Sequence, residues 1–140
     1  MRKVLLMSHG KFAEGIYDTV KMLIGEYGDV FVYSAYSKNE SESIPDFIKK
    51  HCVDKDEDDE VIILTDLIGG SVTNTCITEV VENKYPNVYI IAGMNLPLVL
   101  EILLAPAENI QNLIEGKVET AKKGIVFVNK ALQINVLNIG

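Results

Sequence analysis

The chain has 140 residues, the size of one ordinary domain, and 48% of them are apolar with regular patterning, which excludes a disordered segment. Its net charge of -7 argues against nucleic acid or an anionic membrane as partner, because neutralising phosphates needs clustered Lys and Arg. No apolar run reaches membrane-spanning length, and the run after Met1-Arg2-Lys3 is only Val4–Met7, too short for the core of a signal peptide.

Val4–Met7 reads as a first strand, continuously apolar as parallel strands covered on both faces are. Lys11 to Ile24 follows as a helix, with Ala13, Ile16, Val20, Leu23 and Ile24 at helical spacing and Gly25 as its stop. Val30–Tyr36 is the second strand. Ser43 to His51 is a short helix with Pro45 in its first turn and Ile44, Phe47 and Ile48 inward. The acidic run 54–60 lacks the glycine and flanking helices of a calcium loop and reads as solvated. His51, beside it, is expected at the surface.

Val61–Leu64 is the third strand, followed by Thr65-Asp66-Leu67-Ile68-Gly69-Gly70-Ser71. Val72–Asn83 is helical, with Val72, Cys76, Val80 and Val81 on one face. Val88–Ala92 is the fourth strand, and Gly93-Met94-Asn95 turns into a helix opening at Leu96-Pro97 and ending by Pro106. Ile110 to Lys123 is a last helix, weakened by Gly116 and by Lys117 at an apolar position. Ile125–Val128 is expected as a fifth strand, and the alternation Leu132, Ile134, Val136 as an edge strand. The order predicts an α/β fold, doubly wound, with a mainly parallel central sheet and helices on both faces.

Parallel strands place their carboxyl ends on one edge, where ligands bind in open α/β sheets. The first, third and fourth strands end in Ser8-His9-Gly10, in Asp66 with Gly69-Gly70-Ser71, and in Gly93-Met94-Asn95. Three helix N-termini would meet there, offering unpaired N–H groups and partial positive charge to an anion. Such a crevice disfavours imidazolium and leaves His9 a ring lone pair for attack. Asp66 is suited to accept one ring N–H, fix the tautomer and compensate the charge formed after attack. Ser71 can cap its helix or face the ligand. Arg2 is the only arginine, so phosphate would be held by backbone N–H groups and helix ends. No lysine follows the glycines as a P-loop requires, and Ser71 lacks a Gly-x-Ser-x-Gly elbow. Cys52 and Cys76 show no CxxC spacing and no histidines in register, which points to free thiols and away from zinc.

Ser8-His9-Gly10, Asp66-Leu67-Ile68-Gly69-Gly70-Ser71 with Asn74, and Gly93-Met94-Asn95-Leu96-Pro97 with Glu101 together resemble the IIA component of the mannose/fructose/sorbose class of the bacterial sugar phosphotransferase system. The resemblance covers about residues 1–130, leaving 131–140 as a tail. It implies a cytoplasmic phosphotransferase, associated with the membrane only through the transporter complex. A phosphoryl group passes from the phosphocarrier HPr to His9 and then to a histidine of a IIB component, ahead of the membrane subunits IIC and IID. It assigns Asp66 to the ring N–H of His9 and Ser71 to the phosphoryl group. The catalytic set is then His9, Asp66 and Ser71, and the phosphate-binding set Gly10, Gly69, Gly70, Ser71 and Asn95. Nε2 is the expected phosphorylated nitrogen, since Asp66 holds the other. No cofactor or metal is implied. It also implies a homodimer exchanging a C-terminal strand, with Ile125–Val128 as the antiparallel edge strand. Ile68 and Val72 depart from the aromatic residue and proline common in relatives.

Two other readings share parts of this pattern. Histidine phosphatases and mutases use Arg-His-Gly and a second histidine, whereas Ser8 precedes His9 here and His51 lies far from any strand end. A regulatory or dihydroxyacetone-type phosphotransfer module would carry the same phosphohistidine site, and the sugar is not legible in the crevice.

Overall fold

The computed structural model describes residues 1–40 and 42–133. Four strands, β1 (Arg2–His9), β2 (Asp29–Ala35), β3 (Glu60–Thr65) and β4 (Val88–Ala92), form one sheet in the order β2-β1-β3-β4. Every neighbouring pair is parallel, as the continuous apolar runs predict. Helices α1 (Phe12–Ile24), α2 (Ile44–Cys52) and α3 (Ser71–Asn83) make the crossovers, α4 (Leu96–Leu103) and α5 (Ile114–Lys122) follow β4, and the helices cover the sheet.

Alternation along the strands builds two cores. Val4, Leu6, Ile62 and Leu64 point to one face and pack with Ala13 and Val20 of α1 and with Val99 and Ile102 of α4. Leu5, Met7, Val61 and Ile63 point to the other and pack with Phe47 and Ile48 of α2 and with Val72 and Cys76 of α3. Each strand side chain is thus buried by its own helix layer, giving three layers in all. The chain leaves β1 toward β2 on one side and resumes at β3 on the other. The crevice between the carboxyl ends of β1 and β3 is therefore the topological switch point.

Several expectations are corrected. Ile125–Val128 is no strand. Residues 125–127 run without a ladder partner, and Val128–Ala131 is a short helix, α6. A strand needs a neighbouring edge, and among the described residues nothing pairs with this stretch, which leaves Ile125 and Phe127 78% and 69% exposed. The sheet of the described residues therefore has no antiparallel edge strand. Leu132 lies in a turn, and from 134 the expected tail strand falls outside the described residues.

The last helix is also shorter than its pattern. A 3-10 turn at Ile110–Asn112 precedes α5. Lys117, on the apolar stripe, reaches Glu101 of α4 in an ion pair of 3.2 Å. Leu23 and Val81, expected inward, are exposed. His51, expected at the surface, is buried against Phe31 and Phe47, with ring centroids 4.4 and 4.9 Å away. Neither of its ring nitrogens is hydrogen-bonded among the described residues. Burial, reinforced by the charges of Lys3 and Lys50, pushes its pKa down to about 4.

Candidate functional site

His9 is the last residue of β1, and Asp66 follows the last residue of β3. Because β1 and β3 are hydrogen-bonded neighbours in register, Met7 to Thr65, the chain brings the two side chains together at the switch point. Asp66 Oδ2 accepts the His9 backbone N–H at 2.8 Å and lies 2.8 Å from His9 Nδ1. An ionised carboxylate can only accept, so the proton of the neutral ring sits on Nδ1 and the lone pair on Nε2. Burial of the Asp66 carboxyl works against its charge. Its hydrogen bonds from the His9 backbone and ring outweigh that, and its pKa falls below the ordinary value.

Nε2 faces the glycine-containing loop between β3 and α3. Ser71 Oγ is 3.1 Å from it. The loop turns on Gly69, whose φ of +79° is closed to most residues, and closes with the Gly70 N–H donating to the Leu67 carbonyl at 3.1 Å. A Cβ at Gly70 would stand 3.5 Å from His9 Cε1 and 3.2 Å from the Leu67 carbonyl oxygen, so glycine lets the loop lie against the imidazole. Thr73, in the first turn of α3, hydrogen-bonds the Thr65 hydroxyl at 2.8 Å and the Leu67 carbonyl at 2.7 Å. Those bonds tie the loop to the end of β3. No side chain caps α3, so its first-turn N–H groups keep their capacity for an anion.

The other expected phosphate ligands have commitments of their own. The Gly10 N–H donates to the Ala35 carbonyl at 2.8 Å, and the Gly70 N–H is used in its own turn. Asn95 Oδ1 accepts the Leu98 N–H at 2.9 Å and caps α4. Ser8, buried beneath the site, accepts the Ala13 N–H at 2.8 Å and ties α1 to the end of β1. Of the three helix N-termini expected to converge, α3 is the one with hydrogen-bonded contact to His9. Arg2 is engaged at the opposite end of β1, 3.0 Å from Glu60, so no arginine reaches the site.

Sequence reasoning passed over Tyr36. It follows β2 with φ +59°, a left-handed conformation that bulky residues rarely adopt and that costs roughly 1–2 kcal/mol. Its hydroxyl is 3.0 Å from Ser71 Oγ, and its ring centroid is 5.5 Å from that of His9. Nothing in the local pattern signals this turn. The residue carries neither the Gly nor the Asn that usually marks a left-handed position.

Chemically, the arrangement is a half-exposed imidazole with one nitrogen fixed by a carboxylate, the other bare toward a hydroxyl and an uncapped helix N-terminus. It is built for nucleophilic attack by Nε2 on an electrophile that carries oxyanions.

The mannose-specific EIIAB component of the sugar phosphotransferase system (PTS) of Escherichia coli K12 is 28% identical over 124 residues, 87% of this chain. The chain spans only 38% of that relative's length. The solved structure of a PTS IIA protein associated with the fucose utilization operon of Streptococcus pneumoniae superposes with TM-score 0.72 and 29% identity, covering 94% of this chain and 96% of that one. The PTS component EIIA of Streptococcus agalactiae shares the fold at TM-score 0.81 and 23% identity, covering 93% of this chain and 99% of that one. Residues 3–122 match the family described as PTS system fructose IIA component, and the chain belongs to that family.

Proposed function

We propose that the chain is a phosphoryl relay in bacterial sugar uptake, in which His9 Nε2 accepts a phosphoryl group from phospho-HPr and passes it to a IIB histidine ahead of IIC and IID. The observation that carries this reading is the His9 ring held at 2.8 Å by Asp66, with Nε2 turned to Ser71 and the start of α3. Nε2 attacks phosphorus in line, the bond from phosphorus to the donor imidazole breaks, and its electron pair leaves with that neutral ring. No proton has to move. The phosphorylated His9 ring keeps its Nδ1–H and becomes cationic, and the Asp66 carboxylate compensates that charge. The Ser71 hydroxyl and the first-turn N–H groups of α3 take the phosphoryl oxygens. The two glycines beside them let that backbone approach.

A protein donor and a protein acceptor need access, and the His9 side chain is 43% exposed. Phe12, Leu67 and Ile68 project exposed apolar surface from the segments that carry the site, a rim suited to transient docking. The exposed apolar side chains of Ile125, Val126 and Phe127 suit cover by a second copy, so the working unit in this reading is a homodimer in the cytoplasm.

The test is incubation with phosphoenolpyruvate, enzyme I and HPr, followed by intact-mass analysis and peptide mapping, for the wild type and His9→Ala. One acid-labile phosphoryl group on His9, absent from the variant and transferable to a mannose-class IIB, is expected. Phosphorylation without transfer to any such IIB would favour a regulatory or dihydroxyacetone-type module. No phosphorylation by an active HPr would overturn the relay.

A further inference from the structure

Tyr36 is held in its unfavourable conformation by a turn built for that purpose. Its N–H donates to Glu40 Oε2 at 2.9 Å, while Glu40 Oε1 accepts the Tyr33 hydroxyl at 2.6 Å. Ser37 Oγ donates to the Ser34 carbonyl at 2.7 Å, and the Asn39 amide donates to Glu14 at 3.0 Å. These bonds fix a residue that is 63% exposed and buries little apolar surface in return. What the turn achieves is the placement of one hydroxyl, 3.0 Å from Ser71 Oγ. Strain maintained by its surroundings at a site of this kind points to function rather than stability.

With the His9 ring neutral and its proton on Nδ1, the hydrogen-bond polarity along this chain of groups follows. Nε2 has a lone pair and no proton, so the single Ser71 proton goes to Nε2. Ser71 then accepts, and the Tyr36 O–H is the donor. We infer that Tyr36 is a positioning residue for phosphoryl transfer: by donating to Ser71 Oγ it keeps the Ser71 O–H directed at His9 Nε2 and, once that nitrogen is phosphorylated, at a phosphoryl oxygen. This rests on the relay reading. Without the tyrosine hydroxyl, Ser71 can turn its proton to solvent and its lone pairs to the incoming oxyanions. A preorganised donor is then replaced by a repulsive contact.

The test uses Tyr36→Phe, Ser71→Ala and the double variant in the full chain, with phospho-HPr as donor. Tyr36→Phe keeps the ring and removes only the oxygen. It is expected to lower kcat by about 3–10-fold with KM for phospho-HPr unchanged, and to add nothing once Ser71 is alanine. Additive losses in the double variant, a change confined to KM, or full activity would overturn the proposal. A second measurement needs no phosphorylation. The 15N shift of His9 Nε2 in the free protein should move in Tyr36→Phe in the same direction as in Ser71→Ala, with the Nδ1–H resonance retained. If the wild type takes no phosphoryl group, the relay reading falls, and this shift still decides whether Tyr36 orients Ser71. An Nε2 shift that ignores Tyr36→Phe overturns it.

Discussion

His9 has two ring nitrogens, and Asp66 makes them unequal. The carboxylate's fixed position comes from two bonds, the ring N–H and the His9 main-chain N–H, both to Oδ2. Asp66→Asn keeps the shape and removes the charge. The phosphorylated ring then loses its compensating carboxylate, and the tautomer is no longer dictated. Phosphoryl acceptance is expected to slow by roughly 10²-fold with thermal unfolding little changed. Stopped-flow or quench transfer from phospho-HPr measures this, and an unchanged rate would remove the orienting role. This residue-level arrangement was largely legible in the sequence. His9, Asp66 and Ser71 follow or begin recognisable elements, so the parallel topology alone puts them at one edge. Gly10 and Asn95 were less legible as ligands, because a residue's type does not reveal that its polar atoms are already spent on Ala35 and on the α4 cap. Tyr36 gave no signal, since its orientation is fixed by Glu40 and by closure of the β2 turn rather than by its neighbours' composition.

At the scale of elements, α2 shows how a sequence neighbourhood can mislead. His51 sits among lysines and acids in the chain, yet Ile44, Phe47, Ile48, His51 and Cys52 are all buried on one helical stripe. The 3.6-residue period carried the correct answer against the local polarity. Burial leaves the imidazole neutral in the folded state, with a pKa of about 4, while the unfolded chain takes up a proton near the ordinary histidine value of 6.5. Between these values the unfolded state binds more protons, so stability falls as pH drops from 6.5 to 4 and levels off below. The loss attributable to His51 is about 3 kcal/mol. Urea unfolding of wild type and His51→Leu across this range should show a flatter pH profile in the variant, with phosphoryl acceptance at neutral pH retained. Parallel profiles would contradict the assignment. Asp66 acts lower on the scale. Its depressed pKa contributes stability above the unfolded carboxylate value, and this is lost as pH falls through the folded one.

For the molecule as a whole, four apolar runs were enough to fix four parallel strands and the two helix layers, because both sheet faces are covered and no polar alternation confuses them. The C-terminal segment was misread as a strand on the same logic. Ile125, Val126 and Phe127 have the composition of a buried strand, but a strand is a relation between two segments, and the described residues supply no second one. In the proposed homodimer a second copy would cover these exposed side chains. The expected consequence is a dimer in sedimentation equilibrium that Phe127→Asp converts to monomer, since a buried charge would oppose association. A wild type that stays monomeric at micromolar concentration would contradict the homodimer.

The central claim is that Asp66 reserves Nδ1 and thereby sends the phosphoryl group to Nε2. Two-bond 1H–15N NMR of the His9 ring, recorded before and after phosphorylation by phospho-HPr, tests it most directly. The account predicts phosphorus on Nε2 with the Nδ1 proton retained and still hydrogen-bonded. Phosphorus on Nδ1, or on any residue other than His9, would contradict it.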